Sequence, residues 1–92
     1  MPTVPVHIPS LLVHIAGVQG PLSGEGDTVR AVLTDFLDKV PSLRVHLFDE
    51  TGNLRPHVLC FLNTTNTRWL DSLEEPVREG DELTILQAVS GG

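Results

Sequence analysis

Two glycines, Gly91 and Gly92, close the sequence behind the short segment Gln87-Ala88-Val89-Ser90. Glycine lacks a Cβ, so such an end is thin enough to enter a channel that other residues would block. A free α-carboxyl, with a reference pKa of about 3.5, is ionised at neutral pH and can serve as a nucleophile. From Gln87 to Gly92 the chain reaches roughly 20 Å when extended at about 3.3 Å per residue. The terminus therefore has the chemistry and the reach of a reactive group delivered into the active site of another protein.

The other reactive residue types do not assemble into a site. Cys60 is the single cysteine, and its place between Leu59 and Phe61 points to a buried structural thiol. His7, His14, His46 and His57 share no paired spacing on one element, whereas a metal needs convergent ligands. Gly24-Glu25-Gly26 lacks the later glycines and the lysine of a phosphate loop. Asp27, Asp35 and Asp38 belong to the solvated side of one helix, which does not make a catalytic carboxylate pair. Neither a Ser-His-Asp nor a Cys-His arrangement can be argued, so the chain is expected to have no active site of its own.

Composition narrows the class. Ninety-two residues with 40% hydrophobic and 20% charged content describe one small globular domain. The formal charge of −6, with Lys39 the only lysine and five scattered arginines, argues against nucleic-acid binding. The same acidity suits a partner with a basic face. One cysteine excludes an internal disulfide. Neither a signal peptide nor an apolar run of about 18 residues is visible, so a cytoplasmic protein without a membrane span is the expectation.

The elements that must position the terminus can be read from periodicity. Val4, Val6 and Ile8 alternate with polar residues as a first strand, and Pro5 and Pro9 suggest a sheet edge or an early end. Leu11 to Ala16 is apolar but too short to assign. A brief second strand is expected near Gly20 to Ser23, with Gly24-Glu25-Gly26 as a loop. Asp27 or Thr28 can cap a helix. Val29, Val32, Leu33, Phe36, Leu37 and Val40 then form one continuous stripe that ends at Pro41. Leu43, Val45, Leu47 and Phe48 have mixed period, and residues 49–53 form a polar turn. Val58-Leu59-Cys60-Phe61-Leu62 reads as a strand, Asn63 to Asn66 as a turn, and Glu79-Gly80-Asp81 as a turn into a last strand over Glu82 to Leu86. The result is an α+β domain over residues 1–86, with a mixed sheet of four to five strands and one main helix on one face, and a flexible tail over 87–92. This is the element order of the β-grasp, or ubiquitin-like, fold.

Strand alternation gives the tail a docking surface. If Val58, Cys60 and Leu62 face the helix, Leu59 and Phe61 face outward. Leu83 and Ile85 would then be internal, with Thr84 and Leu86 outward. Leu59, Phe61 and Leu86 are thus expected to form an apolar patch on the open sheet face, and exposed patches of this kind often mark interfaces. Ala88, Val89 and Ser90 would extend that contact along the tail.

The stretch from Val77 to Gly92, with its Glu79-Gly80-Asp81 turn, apolar strand, short tail and diglycine, resembles the ThiS and MoaD sulfur carriers. Leu47-Phe48-Asp49, Leu54-Arg55 and the run ending at Asn63 resemble the CysO-like members, and Gly26-Asp27-Thr28-Val29 resembles the family's helix entry. Gln87 departs from the family, where many relatives carry proline, and implies a less rigid tail base. The resemblance implies a protein substrate that is not itself an enzyme. An adenylating enzyme of the MoeB, MoeZ or ThiF type would consume ATP to activate Gly92, with no cofactor stably bound to the carrier. A sulfurtransferase would convert the adenylate to a thiocarboxylate, and a downstream biosynthetic enzyme would pass the sulfur to cysteine, molybdopterin, thiamine or a thio-metabolite. A ubiquitin-like modifier joined to lysines, and a β-grasp interaction module with an incidental diglycine, are the alternatives.

Overall fold

Val29, Val32, Leu33, Phe36 and Leu37 are buried along one face of the main helix. The computed structural model describes residues 1–17, 21–51, 54–67 and 73–87. Its elements are β1 (Thr3–His7), α1 (Ser10–Ala16), β2 (Ser23–Glu25), α2 (Val29–Lys39), a 3-10 turn (Pro41–Leu43), α3 (Arg44–Leu47), β3 (Val58–Leu62), β4 (Thr65–Asn66) and β5 (Leu83–Gln87). The five strands form one sheet in the order β2-β1-β5-β3-β4. β1 and β5 run parallel at its centre, and the other neighbours are antiparallel.

α2 starts where a short hydroxyl can replace a missing helical acceptor: Thr28 Oγ1 accepts the Ala31 N–H at 3.1 Å. Its apolar stripe packs on Val4, Val6, Val58, Cys60, Leu83 and Ile85, all buried on one face of the sheet. Full burial of each large aliphatic or aromatic side chain contributes at most about 1.5–3 kcal/mol. The approach is closest at β2. A Cβ on Gly24 would lie 2.2 Å from the Val32 carbonyl oxygen, so only glycine lets helix and strand meet there.

Several sequence expectations are corrected. β1 is not an edge strand, because β2 flanks it on one side and β5 on the other. Pro5 is tolerated because the β1–β5 ladder begins only at Val6 opposite Leu83, so its missing N–H falls before the pairing starts. Residues 24 and 25 are strand, not loop, and the second strand begins at Ser23. Leu11 to Ala16 lies within α1, a helix that periodicity missed because Leu12 alone is fully buried while Leu11 and Ile15 are exposed. The mixed segment after Pro41 is also helical, with Leu43 and Leu47 buried and Val45 exposed. The turn expected over Asn63 to Asn66 narrows to Asn63 and Thr64, followed by β4. Ile8 and Leu62 are partly buried against the core. Trp69 and Leu70, part of an irregular apolar patch in the sequence, lie outside the described residues.

Candidate functional site

The site is built on β5, because β5 carries the base of the tail. Its entry is held by a polar latch. Gly80 turns the chain with φ of 93°, a conformation open to glycine. Asn63, itself left-handed with φ of 56°, donates from Nδ2 to Asp81 Oδ1 at 3.1 Å, and its Oδ1 accepts the Glu82 N–H at 3.1 Å. Arg78 N–H donates to Asp81 Oδ2 at 2.9 Å. The bonds from Asn63 and then from the Arg78 backbone hold the Asp81 carboxyl below the usual aspartate range. Beyond the latch, Leu83 and Ile85 are wholly buried, so β5 is anchored from below between β1 and β3.

Side chains on the opposite face line up in two rows. Leu59 pairs directly with Leu86, and Leu86 is 43% exposed. In the adjacent row Asn66, Phe61, Thr84 and His7 sit side by side across four strands. Leu59, Phe61 and Thr84 are partly exposed. His7 Nε2 lies 3.3 Å from Glu82 Oε2, with both side chains about half exposed. The structure therefore brings Leu59, Phe61 and Leu86 together on the face that α2 leaves open. Thr84, expected to face outward, joins the patch, and His7 and Glu82 complete it without a signal in the sequence. Only the parallel pairing of β1 with β5 places His7 there, and no local pattern encodes it.

Gln87 is the last residue of β5 and pairs with Val58. The Asn63 N–H bond to the Glu82 carbonyl, at 2.9 Å, fixes the parity of the ladder. Residues 82, 84 and 86 exchange bonds with β3, so the Gln87 N–H points away from β3. Neither glutamine nor proline at this position breaks a bond to β3. Ala88, Val89, Ser90, Gly91 and Gly92 lie outside the described residues.

The remaining reactive groups are otherwise engaged. Cys60 is on the helix side of β3, where burial pushes its thiol up to about 12 despite a hydrogen bond with the Thr67 side chain. It stays protonated at neutral pH and is no nucleophile. The amino end of α2 is filled by the protein itself. Val29 N–H donates to the Glu75 carbonyl at 3.0 Å and Arg30 N–H to the Leu73 carbonyl at 2.8 Å, leaving a phosphate no donors there. Among the described residues no group of three or more His, Cys, Asp or Glu side chains is placed to hold a metal, and no helix is long and apolar enough to cross a membrane.

A five-stranded mixed sheet with a central parallel pair, one face covered by α2 and the other open beside the tail base, defines a ubiquitin-like β-grasp protein. The ThiS family model matches residues 6–92. The chain is 34% identical over 91 residues to the sulfur carrier protein CysO of Mycobacterium tuberculosis, covering 97% of this chain and 98% of that protein. This chain belongs to the ThiS family. A chain of the crystal structure of the Amycolatopsis orientalis BexX/CysO complex superposes with a TM-score of 0.83 at 31% identity, covering 97% of this chain and 99% of that one. The solution structure of small archaeal modifier protein 1 from Methanosarcina acetivorans superposes with a TM-score of 0.82 at 34% identity, over 100% of this chain and 98% of that one.

Proposed function

We propose that this chain is a sulfur carrier that holds sulfur as a thiocarboxylate on Gly92, and that the patch of Leu59, Phe61 and Leu86 seats the enzyme that activates it. The observation that carries the reading is that Leu59, Phe61 and Leu86 come together on the open face beside β5, the strand that continues into the diglycine segment. The family match, which runs through residue 92, supports the chemistry.

A Gly92 carboxylate oxygen attacks the α-phosphorus of ATP in the partner's site, and pyrophosphate leaves. The terminal sulfur of a persulfide then attacks the acyl carbon of the adenylate, and AMP leaves. A second thiol cleaves the sulfur–sulfur bond of the resulting acyl disulfide, forms a disulfide with the donor cysteine, and releases the thiocarboxylate. The folded domain contributes positioning, which turns a bimolecular encounter into a nearly unimolecular one. Its fixed β5 holds the start of the tail while Ala88, Val89 and Ser90 lead into the partner. The protein partners in this scheme are the adenylating enzyme, the sulfurtransferase and the sulfur-accepting enzyme.

A second reading, a modifier joined to lysines, draws on the likeness to small archaeal modifier protein 1. Carrier and modifier share adenylation and differ in what attacks the adenylate. Adding one residue after Gly92, or deleting Gly91 and Gly92, is expected to abolish ATP–pyrophosphate exchange by the matching adenylating enzyme. Exchange at the parent rate in both variants would leave only a plain interaction module.

A further inference from the structure

β2 is one outer edge of the sheet, and an uncovered edge is a template for another strand. The bonding parity of β2 is fixed on both sides of Gly24. Val6 N–H donates to the Leu22 carbonyl at 2.9 Å, and Gly26 N–H donates to the Pro2 carbonyl at 3.1 Å. With Val4 opposite Gly24, residues 22, 24 and 26 turn their backbone groups toward β1, and Ser23 and Glu25 turn theirs outward.

Two side chains from α2 reach those outward groups. Asp35 Oδ2 accepts the Glu25 N–H at 2.8 Å, and Lys39 Nζ donates to the Ser23 carbonyl at 3.3 Å. Asp35 and Lys39 are one helical turn apart and are joined to each other at 3.2 Å. They offer β2 an acceptor and a donor, as a neighbouring strand would. The exposed groups are also self-complementary. A two-fold axis at Gly24 would set Ser23 of one copy against Glu25 of another, with Glu25 N–H donating to the Ser23 carbonyl in both directions.

We propose that Asp35 and Lys39 form a clamp that closes the β2 edge and so prevents a second copy of this chain from adding its own β2 across Gly24.

The test is sedimentation equilibrium of the full chain over a wide concentration range, with amide hydrogen exchange at Glu25. Raised salt screens the net charge of −6. In the parent chain, Glu25 exchange should not vary with concentration. In the Asp35→Ala/Lys39→Ala variant, the Glu25 amide should exchange at least tenfold faster when dilute and regain protection as a concentration-dependent dimer forms. A folded double variant that associates no more than the parent overturns the proposal, as does a dimer whose Glu25 amide stays unprotected. If the double variant does not fold, Asp35→Ala alone is measured in the same way, and the same two outcomes, or failure of that variant to fold as well, overturn it.

Discussion

Phe61 and Leu86, with Leu59, present apolar side chains on a face whose neighbouring members Thr84 and His7 are polar. Truncating either removes contact area without opening the core, because Leu83, Ile85, Val58 and Cys60 carry the packing beneath. Phe61→Ala and Leu86→Ala are each expected to weaken binding to the adenylating enzyme by about 1–2 kcal/mol, roughly tenfold in Kd, with the thermal midpoint little changed. Calorimetric titration checks this, and unchanged affinity in both variants removes the docking surface. Cys60 behaves oppositely. Its thiol, raised to about 12, should resist alkylation at pH 8 in the native protein and react after denaturation. A raised folded-state value for an acid means that the unfolded chain releases the proton first. The thiol's contribution to stability is therefore present below about pH 9 and declines between pH 9 and 12. Denaturant titrations of Cys60→Ala should show a shallower alkaline decline than those of the parent.

The elements were legible where burial and period coincide. The stripe from Val29 to Val40 could be read because it is buried on one side only, and β3 and β5 because each is a short apolar run bounded by turn residues. α1 could not, since its exposed Leu11 and Ile15 are as apolar as its buried Leu12, and hydropathy carries no phase. β2 is hidden because it is only three residues long, with Gly24 at its centre and Gly26 directly after it. Gly24 looks like loop sequence, yet it is required by the approach of α2. Gly24→Ala should therefore cost about 1–3 kcal/mol or more, since its Cβ would stand 2.2 Å from the Val32 carbonyl oxygen, and denaturant unfolding measures it. The latch at β5 predicts a pH signature. Asp81 is held below its ordinary value by Asn63 and then by Arg78 N–H, so its contribution is present above that value and lost as pH falls through the lowered one. Asp81→Asn should lower the thermal midpoint at pH 7, and the difference should vanish in strong acid.

At the scale of the molecule, strand order was not available from local pattern. β1 and β5 come from opposite ends of the chain, as the pairing of His7 with Glu82 across 75 positions shows. Local preference contains no term for such a contact, so the prolines of β1 suggest a sheet edge or an early end, and alternation alone leaves His7 and Glu82 out of the patch. The three residues that were foreseen, Leu59, Phe61 and Leu86, needed only strand alternation. The arrangement concentrates burial on one side and leaves the other, with the tail base, open. We propose that this folded body presents Gly92 for conversion to a thiocarboxylate. The direct test is intact-mass spectrometry of the full chain after incubation with ATP, a matching adenylating enzyme and a sulfide source. The account predicts a species heavier by the difference between sulfur and oxygen, located at Gly92 by fragmentation and absent without ATP. An unchanged mass under conditions in which the same enzyme thiocarboxylates its own carrier, or stable adducts on lysines alone, would contradict it.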